Sequence, residues 1–252
     1  MKNASKTPRL MLPTLAVALI AGSSASAAVI YADDFNRANN GAIGTTSVGG
    51  FSWVQTGRTT ATSTLANELR AGNGGDQSDG AAYVNFDLNA VETYTVSFAL
   101  RIDLIQVNGN FAFSPRIQNT TADGTAAHWY FDTDANLNGS GSADLFFNGV
   151  SVLADVLPMG TTVDVSMEVS GNNATLQIKN GATTLVTDTR SLGSFYNNST
   201  ADYAVFAYNN TGGSSRGLSA YVDDLNVIPE PSSIALLIVG SLGLLCRRHR
   251  KA

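Results

Sequence analysis

Hydrophobic and polar residues alternate along much of this chain with a period of two. In residues 93–104, Tyr94, Val96, Phe98, Leu100, Ile102 and Leu104 fall on one side. Thr93, Thr95, Ser97, Arg101 and Asp103 fall on the other. Further on, Val163, Val165, Met167 and Val169 alternate with Asp164, Ser166, Glu168 and Ser170. Successive side chains of a strand point to opposite faces, so this period predicts strands with one buried and one wet face. Turn dipeptides punctuate the runs, with Asn-Gly at 73, 108, 138, 148 and 180 and Asp-Gly at 79 and 123. Both suit the positive φ angles of tight hairpin turns. A two-residue turn at Asn180-Gly181 sets Ile178 opposite Thr183 and Leu176 opposite Leu185. No stretch shows the 3.6-residue period of an amphipathic helix, and no internal repeat is visible. The expected fold class is all-β, a β-sandwich or jelly roll.

The two ends break the pattern. Lys2, Lys6 and Arg9 precede an apolar run over 10–21, and Ala25-Ser26-Ala27 supplies small residues. This reads as a secretory signal peptide over 1–27, removed by signal peptidase near Ala27. At the other end, residues 234–246 form an uncharged run of 13 residues. As a helix it reaches about 20 Å, short of a hydrocarbon core about 30 Å thick. The basic residues Arg247, Arg248, Arg250 and Lys251 follow it. They would stay cytoplasmic and leave the body outside. Between the ends lies one domain, residues 28–228.

Pro229-Glu230-Pro231, the Ser-Ser-Ile-Ala-Leu-Leu start, the small-residue break at Gly240-Ser241 and the Arg-rich end occur in that order. They resemble the PEP-CTERM sorting signal over 229–252, with His249 inside the basic cluster as a departure. The resemblance implies a protein exported by a Gram-negative bacterium, of a kind whose producers usually make exopolysaccharide. It implies an exosortase-type sorting enzyme as partner. The short transmembrane helix would tether the chain transiently at the inner membrane. The destination would be the cell surface or the extracellular biofilm matrix.

Charge and cysteine content narrow the function. Residues 28–228 hold 8 Lys and Arg against 19 Asp and Glu, a net charge of −11. Nucleic-acid binding rests on cationic contacts to phosphate, so a nucleic-acid partner is not expected. Neutral glycans suit this charge, whereas acidic ones would need bridging cations. The one cysteine is Cys246, in the tail, so the body can form no intramolecular disulfide and carries no thiol chemistry.

A second resemblance covers the body. Asp33-Asp34-Phe35-Asn36-Arg37, then Gly44, then Trp53, look like the opening of concanavalin A-like (LamG-like) jelly rolls. Residues 218–227, LSAYVDDLNV, look like their closing strand. In such folds the first and last strands pair, which would bring Phe35 near Val222 and Leu225. It would also gather Asp33, Asp34, Asp223 and Asp224, which must then point apart or share a cation.

Glucanases of this fold use paired carboxylates about 5 Å apart, but their Glu-x-Asp-x-(x)-Glu signature is missing here. Asp164 and Glu168 share a strand face with Ser166 between them and read as solvated. Asp132 and Asp134 have suitable spacing but enter a Gly/Asn-rich loop. Gly213-Ser214-Ser215-Arg216-Gly217 matches G-x-S-x-G, yet no helix follows, and the sole later histidine is His249 in the tail. No catalytic residues are assigned and the chain is not expected to be an enzyme. Asp132, Asp134 and Asn136, with Asp144, are candidate calcium ligands. The set departs from an EF-hand, since Leu137 and Ala143 stand where that loop needs Gly and Glu.

Sugar binding needs an aromatic platform with polar groups beside it. A hairpin centred on Asp123 would set Ile117 opposite Trp129, Gln118 opposite His128 and Arg116 opposite Tyr130. Ile117, Trp129 and Phe131 would then enter the core. Arg116, Gln118, His128, Tyr130 and Asp132 would line the opposite face, as candidate ligand contacts. Asn-x-Ser/Thr sequons at 119, 138, 173, 197, 198 and 209 read as composition in a bacterial protein. Thr93/Thr95 and Thr187/Thr189 are isolated pairs, not the long flat array that ice binding would want. The expectation is a non-catalytic, lectin-like surface or matrix protein contacting polysaccharide. A purely structural matrix protein and a carbohydrate-active enzyme stand as alternatives.

Overall fold

The computed structural model describes residues 28–39, 43–57, 62–72, 80–84, 93–106, 109–118, 129–132, 137–138, 141–192, 202–210 and 217–230. All lie within the unit Ala27–Glu230. Residues 1–27, expected to form a signal peptide, and His128, Asp134, Asn136, Pro231 and the Arg-rich end lie outside the described residues.

Every described element is a strand. In chain order these are β1 (Tyr31–Asp33), β2 (Trp53–Gly57), β3 (Thr62–Leu65), β4 (Glu68–Ala71), β5 (Gly80–Val84), β6 (Thr93–Ile105), β7 (Gly109–Gln118) and β8 (Trp129–Asp132). They continue as β9 (Leu137–Asn138), β10 (Ser142–Phe147), β11 (Val150–Pro158), β12 (Thr162–Ser170), β13 (Asn173–Asn180), β14 (Thr183–Ser191), β15 (Asp202–Asn210) and β16 (Leu218–Pro229). They form two antiparallel sheets. The nine-stranded sheet runs β14-β13-β12-β6-β16-β4-β3, with β1 on β16 and β9 on β6. The seven-stranded sheet runs β11-β10-β8-β7-β15-β5-β2. The fold is an all-β jelly roll, and its core is one cluster built from the facing sides of both sheets.

The alternation along β6 is realised as burial. Tyr94, Val96, Leu100 and Ile102 are fully buried, and Tyr94 Oη donates to the Pro115 carbonyl at 3.0 Å. The end of the strand departs from the expected phase. The register against β16 slips between Ile102 and Leu104, so Leu104 is only half-buried and Ile105 takes the core position. An extra residue in one strand exchanges the two faces beyond it.

The first and last strands pair as expected, with Tyr31 opposite Val227 and Asp33 opposite Leu225. Phe35, Val222 and Leu225 all enter the core. Where β4 ends beside the start of β16, Gly72 has φ +78°, and a Cβ there would lie 2.2 Å from the Leu218 carbonyl oxygen. Only glycine fits that approach.

Two hairpin registers differ from those expected. The β13–β14 turn is centred on Gly181-Ala182, because Asn180 itself pairs with Thr183. A bulge follows, so Ile178 faces Val186 and Leu176 faces Asp188, not Thr183 and Leu185. Gly181 has φ +56°, as the first central position of a type II′ turn requires. The net slip is odd, so the even-numbered residues of β14 turn inward. Between β7 and β8, Trp129 faces Phe113 and not Ile117, while Ile117 pairs with Tyr203 and Gln118 with Asp202. This slip is of four residues. An even slip keeps every residue on its face. The long connection between these strands leaves the register to packing, where a tight turn would have set it.

Candidate functional site

The chemistry-bearing side chains of the seven-stranded sheet lie on the face turned away from the core. Along β8, Trp129 and Phe131 are fully buried, while Tyr130 and Asp132 are half-exposed on the other side. Along β10, Ala143, Leu145 and Phe147 point inward, while Asp144 and Phe146 point outward. The strands pair with Tyr130 opposite Phe146 and Asp132 opposite Asp144. The two rings stack, with centroids 5.2 Å apart and planes 9° from parallel. On the far side of Tyr130, its neighbour across β7 is Ala112, which carries only a methyl group. One face of the phenol ring is backed by Phe146.

Burial raises the Tyr130 phenol above its ordinary pKa, and the Asp132 charge adds to this, while a backbone hydrogen bond from Gly149 works against it. The phenol stays neutral at physiological pH and can both donate and accept. Asp144 has a second task. Its Oδ1 accepts the Asp155 N–H at 2.7 Å, where β11 bulges away from β10 and Asp155 adopts φ +53°. The result is a stacked aromatic pair beside a cross-strand pair of carboxylates.

Of the expected sugar contacts, Tyr130 and Asp132 occupy the predicted face. His128 lies outside the described residues, as do the side chains of Arg116 and Gln118. Of the candidate calcium ligands, Asp132 and Asp144 are brought directly opposite each other, while Asp134 and Asn136 lie outside the described residues. Among the described residues no group of three or more acidic, His or Cys side chains is arranged to hold a metal ion.

Of the acidic residues at the paired termini, Asp33 turns into the core, while Asp34 and Asp224 stay close enough for their charges to act on Asp223. Asp33 is buried. Its Oδ1 accepts the Phe35 N–H at 2.9 Å and an Arg37 guanidinium N–H, and its Oδ2 accepts the Trp53 indole N–H at 2.5 Å. Arg37 also donates to the Ile43 and Thr45 carbonyls. Gly44 sits against it with φ +89°, where a Cβ would come 3.2 Å from Arg37 Nη1. The Asp-Asp-Phe-Asn-Arg, Gly and Trp pattern is therefore a structural clasp at the start of the domain. Asp223 stays near the surface. Its pKa is raised first by burial and then by the charges of Asp224, Glu68 and Asp34, against a hydrogen bond from the Asp224 amide.

Asp164 and Glu168 are exposed on the other sheet, opposite Lys179 and Thr175. They take no part in the Tyr130 face. Sequence reasoning missed Asp188 and Arg190. The odd slip of β14 turns both inward at the sheet edge. There Asp188 Oδ2 accepts the Trp129 indole N–H at 2.8 Å and Arg190 Nε at 2.8 Å. The Arg190 guanidinium lies 5.3 Å over the Phe147 ring. This bridge joins the two sheets. No turn dipeptide signals it: a turn at Gly181-Ala182 shifts the register by two and keeps every residue on its face, and the bulge after Thr184 is what turns Asp188 and Arg190 inward.

Residues 227–251 match the PEP-CTERM protein-sorting motif, which implies an exported protein anchored in the membrane before processing. No curated protein matches the chain. Among solved structures, an immunostimulatory antigen and pseudo-β-1,3-glucanase of Mycobacterium tuberculosis aligns with TM-score 0.50 and 9% identity, over 81% of this chain and 99% of that one. Lectin II from Ulex europaeus aligns with TM-score 0.49 and 13% identity, over 70% and 92%. A glycosyl hydrolase family 16 protein from Mycobacterium smegmatis aligns with TM-score 0.49 and 12% identity, over 79% and 100%. At these identities the likeness is one of fold.

Proposed function

We propose that this chain is an exported, non-catalytic, lectin-like protein that contacts polysaccharide through the outer face of its seven-stranded sheet. The observation that carries the reading is the Tyr130–Phe146 stack beside Asp132 and Asp144. A pyranose ring offers an apolar C–H face and equatorial hydroxyls. A flat aromatic ring takes the first and carboxylates accept the second. The body's charge of −11 favours a neutral glycan, or an acidic one bridged by calcium. The commitment of Asp144 to the Asp155 amide supports binding over acid–base chemistry. In this reading signal peptidase removes residues 1–27. The tail tethers the chain until an exosortase-type enzyme processes it. The domain then resides at the cell surface or in the matrix.

The test is retention of residues 28–230 in native gels cast with a polysaccharide panel, including the producer's own exopolysaccharide. It is run with calcium and with chelator, and the sugar is assayed for new reducing ends and unsaturated products. Saturable retardation without cleavage supports the proposal. Loss of retardation in chelator assigns a calcium bridge. A folded domain retarded by no glycan leaves a purely structural matrix role, and cleavage products make the protein an enzyme.

A further inference from the structure

The matched sorting motif does not begin after the domain ends. Its first residues are the last residues of β16. Val227 is fully buried in the core, opposite Tyr31 on one side and Val96 on the other. Ile228 pairs with Thr95 and Pro229 with Tyr94. The Glu230 N–H donates to the Thr93 carbonyl at 3.0 Å. The Thr95 hydroxyl donates to Glu230 Oε1 at 2.6 Å. Both the main chain and the side chain of the triplet's central residue are therefore engaged by β6.

This hold is one-sided. The β1 pairing ends at Val227, whose carbonyl accepts the Ile30 N–H at 2.8 Å. Beyond it, among the described residues, 228–230 are bonded to β6 alone, and Pro229 has no N–H to give. Strand ends with few bonds open locally at small free-energy cost, without global unfolding.

We infer that residues 228–230 form a latch, in which the folded sheet masks the proximal part of the sorting motif. The sorting enzyme engages the motif only when this strand end leaves β6. An enzyme that reads an extended peptide needs its main-chain groups and the Glu230 carboxylate free. Apparent recognition then falls by the fraction of molecules whose strand end is open. The Thr95–Glu230 bond sets that fraction, so the body tunes how fast its own tail is processed.

The test follows tail removal by pulse–chase on the full-length chain, in a Gram-negative host that carries an exosortase. Thr95→Val keeps a strand-forming side chain and deletes the donor. Loss of one hydrogen bond of about 1 kcal/mol raises the open population about five-fold, and tail removal is expected to speed up by that factor. Thr175→Val removes a hydroxyl from the same sheet, where it bonds only Thr189 at 3.0 Å, and is expected to change nothing. Thr95→Cys with Ile228→Cys, in a Cys246→Ser background, staples a directly opposed pair. It is expected to block processing until reductant is added. Unchanged processing in both Thr95→Val and the oxidised staple would overturn the latch, because the enzyme would then read the motif in place.

Discussion

The indole N–H of Trp53 reaches Asp33 Oδ2 at 2.5 Å, joining the first strand of one sheet to the edge strand of the other. Arg37 neutralises the same buried carboxylate. A buried ion pair is weak evidence of net stability, but removing one partner strands the other. Asp33→Ala is expected to cost about 3–5 kcal/mol, read as a lower urea midpoint. Trp53→Phe keeps a ring packed at a tilt against Phe35 and loses one donor, at about 1–3 kcal/mol.

Tyr130 and Phe146 offer the sharpest test of the binding face. Both are half-exposed, so truncation should leave the fold intact. Tyr130→Ala is expected to lower glycan affinity about ten-fold, since an aromatic contact is worth about 0.5–1.5 kcal/mol beyond its area. Phe146→Ala should give a smaller loss by removing the backing ring. Affinity electrophoresis at graded glycan concentration separates the two.

Burial pushes the Tyr31 phenol well above the ordinary tyrosine value. The folded state therefore binds its proton more tightly than the unfolded state does. The associated stability is fully present below about pH 10, the unfolded value, and is lost as pH rises through the folded value. Tyr130 acts in the same direction. Tyr31→Phe should move the alkaline limb of a pH-unfolding curve upward, and an unmoved limb would show that another group governs it.

Asp223 has the opposite consequence at neutral pH. Its pKa is raised by burial and by neighbouring negative charges, so its ionised form is disfavoured in the folded state. Asp223→Asn should raise the thermal midpoint at pH 7, while its Oδ1 can still accept the Asp224 amide. The gain over the parent should shrink as pH falls through the folded pKa and vanish below the unfolded value, where the parent is neutral in both states.

Gly72→Ala sets a Cβ against the Leu218 carbonyl, where neither backbone can yield without shifting a strand. A destabilisation of about 3 kcal/mol is expected, measured by denaturant unfolding of residues 28–230.

Much of the fold was legible along the chain. The strands β6 and β12 declared themselves because each buries one face, and a period of two is the direct imprint of that burial. The terminal pairing was legible through the Asp33, Arg37, Gly44 and Trp53 pattern, though the reason for those residues was not. It emerged only when Arg37 and Trp53 were found on one carboxylate. Tyr130 and Asp132 lie on the expected side of β8, because an even slip keeps each residue on its face. Phe146 and Asp144 could not be set opposite them from spacing alone.

The sequence by itself determined what local physics encodes: strand phase, turn-prone dipeptides, an acidic body between basic ends, and a sorting tail. The tertiary structure decided everything that depends on register. One bulge in β14 turned Asp188 and Arg190 toward Trp129 and built a bridge between the sheets. One slip in β6 exchanged Leu104 for Ile105 in the core. The one-sided pairing beyond Val227 folded the start of the sorting motif into the domain. Local propensity is blind to such choices, because a one-residue shift costs little within a strand and shows only in what the other sheet or neighbouring strand then meets.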